Sequence, residues 1–262
     1  MSLLRALLLC IQVPCYQVAS TPPNKSPTNG RYDASTPWHL RIASSVIQAQ
    51  QPIVWTCTLA DLLLILAQRA VLPVPVPVIC PFPNPPSAPP SLRSPHPLNG
   101  TFLSPSPPTT LPSPHIHATL LSLLGLALVL FGSLLRAACY RALGALFTFD
   151  LSIQPRHKLV TWGPYAYVRH PAYSGSLSLM LGLALVNLTP GSWLAECGVL
   201  GLGNPSLNLA VRALLFLTWY AWWISVGVHR AVLEDQEMKK LFGDEWVAYS
   251  KRVPCWFIPG VF

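Results

Sequence analysis

Charge is scarce in this sequence. Only 10% of its 262 residues are Asp, Glu, Lys or Arg, against about 25% in a soluble globular domain. That scarcity argues against a water-exposed fold, and the mean hydropathy of +0.44 agrees. Acids are rarer than bases, nine against seventeen, giving a formal net charge of +8. Such a balance suits nucleic acid where the cations gather in one stripe. Here they lie in short loops between apolar runs, the way membrane topology is encoded, so no nucleic-acid partner is expected. The seven cysteines (10, 15, 57, 80, 139, 197, 255) form no C-x-x-C pair. Neither a metal site nor a disulfide framework is expected from them; small buried hydrophobes are. The final Ile258-Pro259-Gly260-Val261-Phe262 is no C-a-a-X box, so this chain is not expected to be prenylated itself.

Long apolar runs are what the sequence does have. Crossing the hydrocarbon core takes about 20 residues of helix, and five segments come near that: Leu3 to Val18, Ile53 to about Leu72, Ile116 to Leu135, Pro171 to about Leu188, and Leu207 to Val228. The expected fold is an all-α, multi-pass transmembrane bundle of about five spans with an amphipathic helical tail. Trp219, Tyr220, Trp222 and Trp223 suit an interfacial belt. Arg5, the apolar run after it and Val18-Ala19-Ser20 also fit a secretory signal with a small-residue cleavage site. Asp61, inside the second run, is an acid within the membrane and so a candidate for function or for a bundle-facing contact. Arg212, near the start of the fifth run, is expected to snorkel to the surface.

Loop charge orients the bundle. Arg136, Arg141, Arg156, Lys158 and Arg169 lie between the third and fourth runs with a single Asp150, while residues 189–206 hold no Lys or Arg and one Glu196. The positive-inside rule puts 136–170 and the tail in the cytosol and 189–206 on the far side. Counting back, 73–115 is on the far side and 19–52, with Lys25, Arg31 and Arg41 against Asp33, is cytosolic. Sixteen of the 44 residues from 71 to 114 are proline, which cannot continue a helix, so a polyproline-like loop or disorder is expected there. The expected division is N-terminal membrane segments at 1–72, a Pro-rich loop at 73–115 and a membrane core at 116–262.

Two cytosolic stretches carry the candidate chemistry. Gly163-Pro164-Tyr165 marks a turn; Arg169 and His170 follow, and Pro171 suits a helix's first turn. Free backbone N–H groups at that helix start would favour an anion. Tyr165 and Tyr167 also fit an interfacial pair beside snorkelling cations. In the second stretch, Arg230 and Glu234 share a helix face, a spacing that also suits a surface ion pair. Beyond it, Leu233, Met238, Leu241 and Phe242, then Trp246 and Tyr249, predict an amphipathic helix pair broken at Gly243, lying on the membrane or over the helix ends.

H-K-L-V-T-W-G-P-Y-A-Y-V-R-H-P-A-Y-S-G (157–175), R-A-V-L-E-D (230–235) and L-F-G-D-E-W-V-A-Y-S-K-R-V-P (241–254) together resemble the isoprenylcysteine carboxyl methyltransferase family. The resemblance covers roughly residues 140–262; the first half is similar only in having membrane segments, and its Pro-rich insert departs from the pattern. The resemblance implies an endoplasmic reticulum enzyme with its site facing the cytosol. Such an enzyme uses S-adenosyl-L-methionine to methylate the C-terminal carboxylate of the prenylated cysteine on processed C-a-a-X proteins. It implies that His157, Lys158, Leu159, Val160 and Tyr165 border the cofactor, that His170, Pro171, Ala172 and Tyr173 form its second wall, and that Glu234 holds it. Arg230 would face the substrate carboxylate as the catalytic and substrate-binding residue. R-H-P-x-Y and the final G-x-x-W-x-x-Y are also similar to membrane sterol reductases. The same membrane-bound pattern is compatible with a phospholipid amine methyltransferase, or with an inactive membrane relative of these enzymes.

Overall fold

The computed structural model describes residues 2–24, 37–73, 75–83, 114–149 and 157–261. Every regular element among them is helical. Four helices are long and apolar enough to cross a membrane: α1 (Ser2–Ser20), α3 (Ala43–Gln68), α5 (Leu120–Leu143) and α8 (Pro205–Phe242). Between them lie the short α2 (Trp38–Arg41) and α4 (Val76–Ile79), then α6 (Pro171–Asn187) and α7 (Trp193–Glu196); α9 (Asp244–Arg252) follows. The chain is thus the expected multi-pass helical membrane bundle. The fourth expected run forms α6, whose 17 residues span roughly 25 Å at about 1.5 Å per residue. The Pro-rich loop departs from its expectation at α4, where Val76–Ile79 form one short helical turn with proline in its first positions; much of the rest (84–113) lies outside the described residues, as do Asp150 and Arg156.

Antiparallel α5 and α6 are the tightest pair. A Cβ on Gly132 would sit 2.5 Å from the Gly175 carbonyl oxygen, and one on Gly182 2.5 Å from that of Gly125. Two glycines a heptad apart on each helix therefore let the backbones touch, the usual route to tight packing where lipid supplies no hydrophobic drive. Thr119 and Ser122 start α5 with a reciprocal capping box.

α3 begins at Ala43, ten residues before the expected start, and runs through Pro52. Its glutamines remain helical because the bundle supplies partners: Gln50 Nε2 reaches Met180 Sδ at 3.2 Å and Gln51 Nε2 the Ser20 hydroxyl at 3.1 Å. α1 is equally built in. Tyr16, at its inner face, is fully buried in a core shared with Val54, Val129, Leu179 and Leu183. Arg5 bonds Asp61 at 2.7 Å with both side chains buried, and also donates to the Val186 carbonyl at 2.9 Å. The second Asp61 oxygen accepts from the Trp193 backbone N–H at 2.8 Å. Asp61 is therefore a structural tie among three helices and the start of α7.

Arg212 departs from its expectation. It is buried and donates to the carbonyl of Leu188, the residue that ends α6, so it caps a helix terminus instead of reaching the surface. The cysteines depart as well: Cys80 and Cys197 form a disulfide. Cys57 and Cys139 are the expected buried thiols, whereas Cys10 is exposed and Cys15 and Cys255 are half-buried.

Candidate active site

The site is assembled where α6 begins. Gly163 adopts φ +64°, a conformation glycine reaches without strain, and Pro164 opens a short 3₁₀ turn over Gly163–Ala166. The chain then crosses to Pro171, the first residue of α6. The backbone N–H groups of Arg169 and His170 are not free for an anion. They donate to the carbonyls of Cys255 and Trp256, each at 2.9 Å. The C-terminal tail thus straps the entrance to α6, and Ser174 reinforces it through the Phe257 carbonyl at 2.6 Å.

The helix leaving the bundle supplies the other wall. α8 continues unbroken to Phe242, and Gly243 (φ +53°) turns it into α9, the expected amphipathic pair. Thirty-eight residues make about 57 Å of helix at roughly 1.5 Å per residue, so its last turns project past the apolar region. There Glu234 and Asp235 meet the α6 entrance. His170 Nε2 lies 2.9 Å from Asp235 Oδ1, and its Nδ1 lies 3.2 Å from Glu234 Oε2. The Tyr173 hydroxyl donates to the other Glu234 oxygen. Arg169 pairs with Asp235 at 2.9 Å and stacks over Trp246 and Trp256.

Burial alone would push the His170 pKa down, but hydrogen bonds to Asp235 and Glu234, with their charge, outweigh it and hold the imidazole up at about 9. Its folded value exceeds the ordinary 6.5, so the stability it contributes is complete below pH 6.5 and is lost as pH rises through about 9. The melting temperature of the purified protein should therefore fall between these pH values, and His170→Gln should flatten that fall. An unchanged slope in the variant would remove His170 as its source. His157 moves the other way: burial lowers its pKa, with Glu234 partly offsetting. Burial raises Tyr165 well above the usual phenol value and Tyr249 to about 12, so both stay neutral donors.

One cavity, about 210 Å³, touches these groups. His157, Lys158, Leu159, Val160, Tyr165, His170, Ala172, Tyr173, Arg230 and Glu234 all line it. Pro171 does not: it is buried at the first turn of α6. Arg230 does not pair with Glu234 on its own helix. It donates to the Phe149 carbonyl at 2.6 Å and the Leu40 carbonyl at 3.1 Å.

Sequence reasoning missed several lining groups. Arg136, counted as a loop charge, sits in α5, buried, and lines the cavity. It holds Ala19 at the end of α1 and the Ala172 carbonyl of α6, at 2.7 and 3.3 Å. Its place at the last turns of α5 gives no sign of this, because a basic residue there equally marks a cytosolic end. Ala43 and Ile47 of α3 line the cavity as well, although the first half of the chain carries no motif. The one signal for Asp235 is its place beside Glu234 in the sequence.

Fold and site together define a helical membrane protein whose cavity lies at one end of the bundle, lined mostly by apolar side chains with an acid–histidine cluster on one wall. Residues 120–202 match the family model described as phospholipid methyltransferase. The chain is similar to protein-S-isoprenylcysteine O-methyltransferase B of Arabidopsis thaliana, 30% identical over 132 residues, 50% of this chain and 55% of that protein. It is also similar to the protein-S-isoprenylcysteine O-methyltransferases of Mus musculus and Xenopus laevis. These are 32% and 36% identical over 147 residues, 55% of this chain and 44% and 43% of theirs. The chain thus spans about half the length of the curated relatives it matches. No solved structure gives a significant match.

Proposed function

We propose that the chain methylates the C-terminal carboxylate of prenylated cysteine on processed C-a-a-X proteins, with S-adenosyl-L-methionine as donor, at the cytosolic face of the endoplasmic reticulum membrane. The observation that carries this reading is the meeting of Arg230, Glu234 and the 157–173 stretch around one cavity at the membrane-surface end of the bundle. The names of the similar proteins supply the chemistry.

The residues present suit the donor. When bound, it supplies an electrophilic methyl on a sulfonium, together with an ammonium, a carboxylate and an adenosine. Each Glu234 oxygen takes one hydrogen bond in this structure, and a carboxylate has about four acceptor positions, which leaves room for an ammonium or ribose hydroxyls. Nδ1 of His157 is buried on the cavity wall with no hydrogen-bond partner, a group that calls for a polar ligand. Lys158, Leu159, Val160 and Tyr165 border that side, and Ala172 and Tyr173 the other; Pro171 contributes by starting the helix that carries them.

Arg230 suits the acceptor. Its two terminal nitrogens already hold two carbonyl oxygens, and the same N–H groups can take the paired oxygens of a carboxylate in stronger, charge-assisted bonds. That carboxylate has a pKa near 3.5 and is ionised at neutral pH, so no general base is required. The work left to the protein is alignment of oxygen, methyl carbon and sulfur, and exclusion of water. Ala43, Ile47, Leu177, Trp223 and Val226 give the cavity an apolar side continuous with the bundle core, suited to a prenyl chain arriving from lipid while the donor arrives from water.

Arg230→Ala should raise the apparent KM for a prenylcysteine acceptor by about 10–100-fold, the loss of a charged hydrogen-bonded pair, with little change in the KM for the donor. Equal changes in both would remove Arg230 from the acceptor site. The matched family model also favours a second reading, methylation of a phospholipid amine. Arg230 weighs against it, because a guanidinium facing the acceptor repels a protonated headgroup. Offering both acceptors to the same membranes separates the two readings.

A further inference from the structure

The end of the bundle away from the cavity is a folded cap. Segment 75–83 with α4, residues 114–118 and α7 meet there over the last turns of α3. Leu64, Ile65, Cys80, Ile116 and Cys197 form its buried core. Trp193 Nε1 donates to the Ile79 carbonyl at 2.8 Å, and Asn208 Nδ2 ties the start of α8 to the Ala195 carbonyl at 3.0 Å. The disulfide joins Cys80, after α3, to Cys197, after α6, across 117 positions of sequence.

We propose that Cys80 and Cys197 are an oxidative modification site used on the non-cytosolic side of the membrane, and that their disulfide reports which way the bundle faces. Cytosolic thiols are kept reduced, and disulfides persist in oxidising compartments. α6 runs from His170 at the cavity to Leu188 at the cap, so the two ends lie on opposite sides. The cap belongs on the oxidising side and the cavity opens to the cytosol. Two independent features agree. Residues 189–206 hold no Lys or Arg, as the positive-inside rule requires of a translocated loop. Cys139 and Cys255, at the cavity end, are free thiols.

The bond forms by thiol–disulfide exchange with an oxidised oxidoreductase of that compartment. One thiolate attacks the oxidoreductase disulfide and forms a mixed disulfide; the second thiolate displaces it. The two thiols lose two electrons and two protons, and the oxidoreductase leaves as a dithiol. None of this rests on the reaction proposed for the cavity.

The test uses the full chain in eukaryotic cells. Cells are quenched in acid, and free thiols are blocked with N-ethylmaleimide under denaturing conditions. The protein is then reduced and tagged with polyethylene-glycol maleimide. Wild type should gain two mass tags, one per cysteine of the pair, and Cys80→Ser or Cys197→Ser should gain none. Wild type without tags would overturn the proposal. Trypsin added to sealed microsomes should cut the exposed tail at Lys240 or Lys251. It should spare the bond after Arg93, which lies in sequence between Cys80 and Ile116, until detergent opens the vesicles. Cleavage at Arg93 in sealed vesicles would overturn the orientation. Methyltransferase activity is read separately, so absence of that activity leaves both outcomes intact.

Discussion

Glu234→Gln should weaken binding of S-adenosyl-L-methionine by about 10–100-fold, the worth of a hydrogen bond to a charged group, about 1.5–3 kcal/mol. The substitution keeps the shape of the side chain and removes its charge. The Tyr173 hydroxyl can still donate to an amide oxygen, so the wall contributed by α6 is retained. Protonated His170 keeps Asp235 as an anionic partner at 2.9 Å. What is lost is the negative charge offered to a cationic donor. Calorimetric titration of purified protein with the donor measures this directly. Unchanged affinity would take Glu234 out of the donor site, even if turnover fell.

Asp61→Ala should cost about 3–5 kcal/mol of stability, as removing one partner of a buried ion pair does. Arg5 would be left charged, fully buried and without its anion. The Trp193 N–H at the start of α7 would lose its acceptor too. A large fall in melting temperature in detergent is the expected readout. Arg5→Leu combined with Asp61→Leu should recover much of it, because the penalty comes from the orphaned charge more than from the lost attraction. A double variant as unstable as Asp61→Ala would mean that the pair stabilises by attraction. Donor affinity should change little in a double variant that folds, since neither residue touches the cavity.

Much of the cavity is legible in the sequence because two blocks of it, 157–175 and 230–235, carry the family resemblance. Glycine and proline mark the turn at 163–164, the proline at 171 marks a helix start, and Arg230 and Glu234 lie four positions apart; all three features act locally. The tail pair is legible for the same reason: Gly243 interrupts an otherwise helical apolar pattern. Long-range partners carry no such signal. Nothing in the spacing of Cys80 and Cys197 distinguishes a disulfide from two buried thiols. Arg5 equally fits the basic start of a signal segment, and only the folded bundle reveals Asp61 opposite it. Arg136 and Arg212 read as surface cations because buried arginine is rare in membranes. Both are tolerated inside because helix-end carbonyls lie within reach. α3 starts ahead of its expected boundary because polar glutamines find partners inside the bundle, which hydropathy alone does not register.

The most direct measurement is transfer of a labelled methyl group from S-adenosyl-L-methionine to N-acetyl-S-farnesylcysteine, in membranes expressing the chain. The label should appear on the acceptor as a base-labile ester, released as methanol, and at sub-saturating acceptor and donor should fall by about 10–100-fold in membranes carrying Arg230→Ala or Glu234→Gln. Membranes that contain the folded chain, bind the donor and leave this acid unlabelled, or that label a phospholipid amine in its place, would contradict the account.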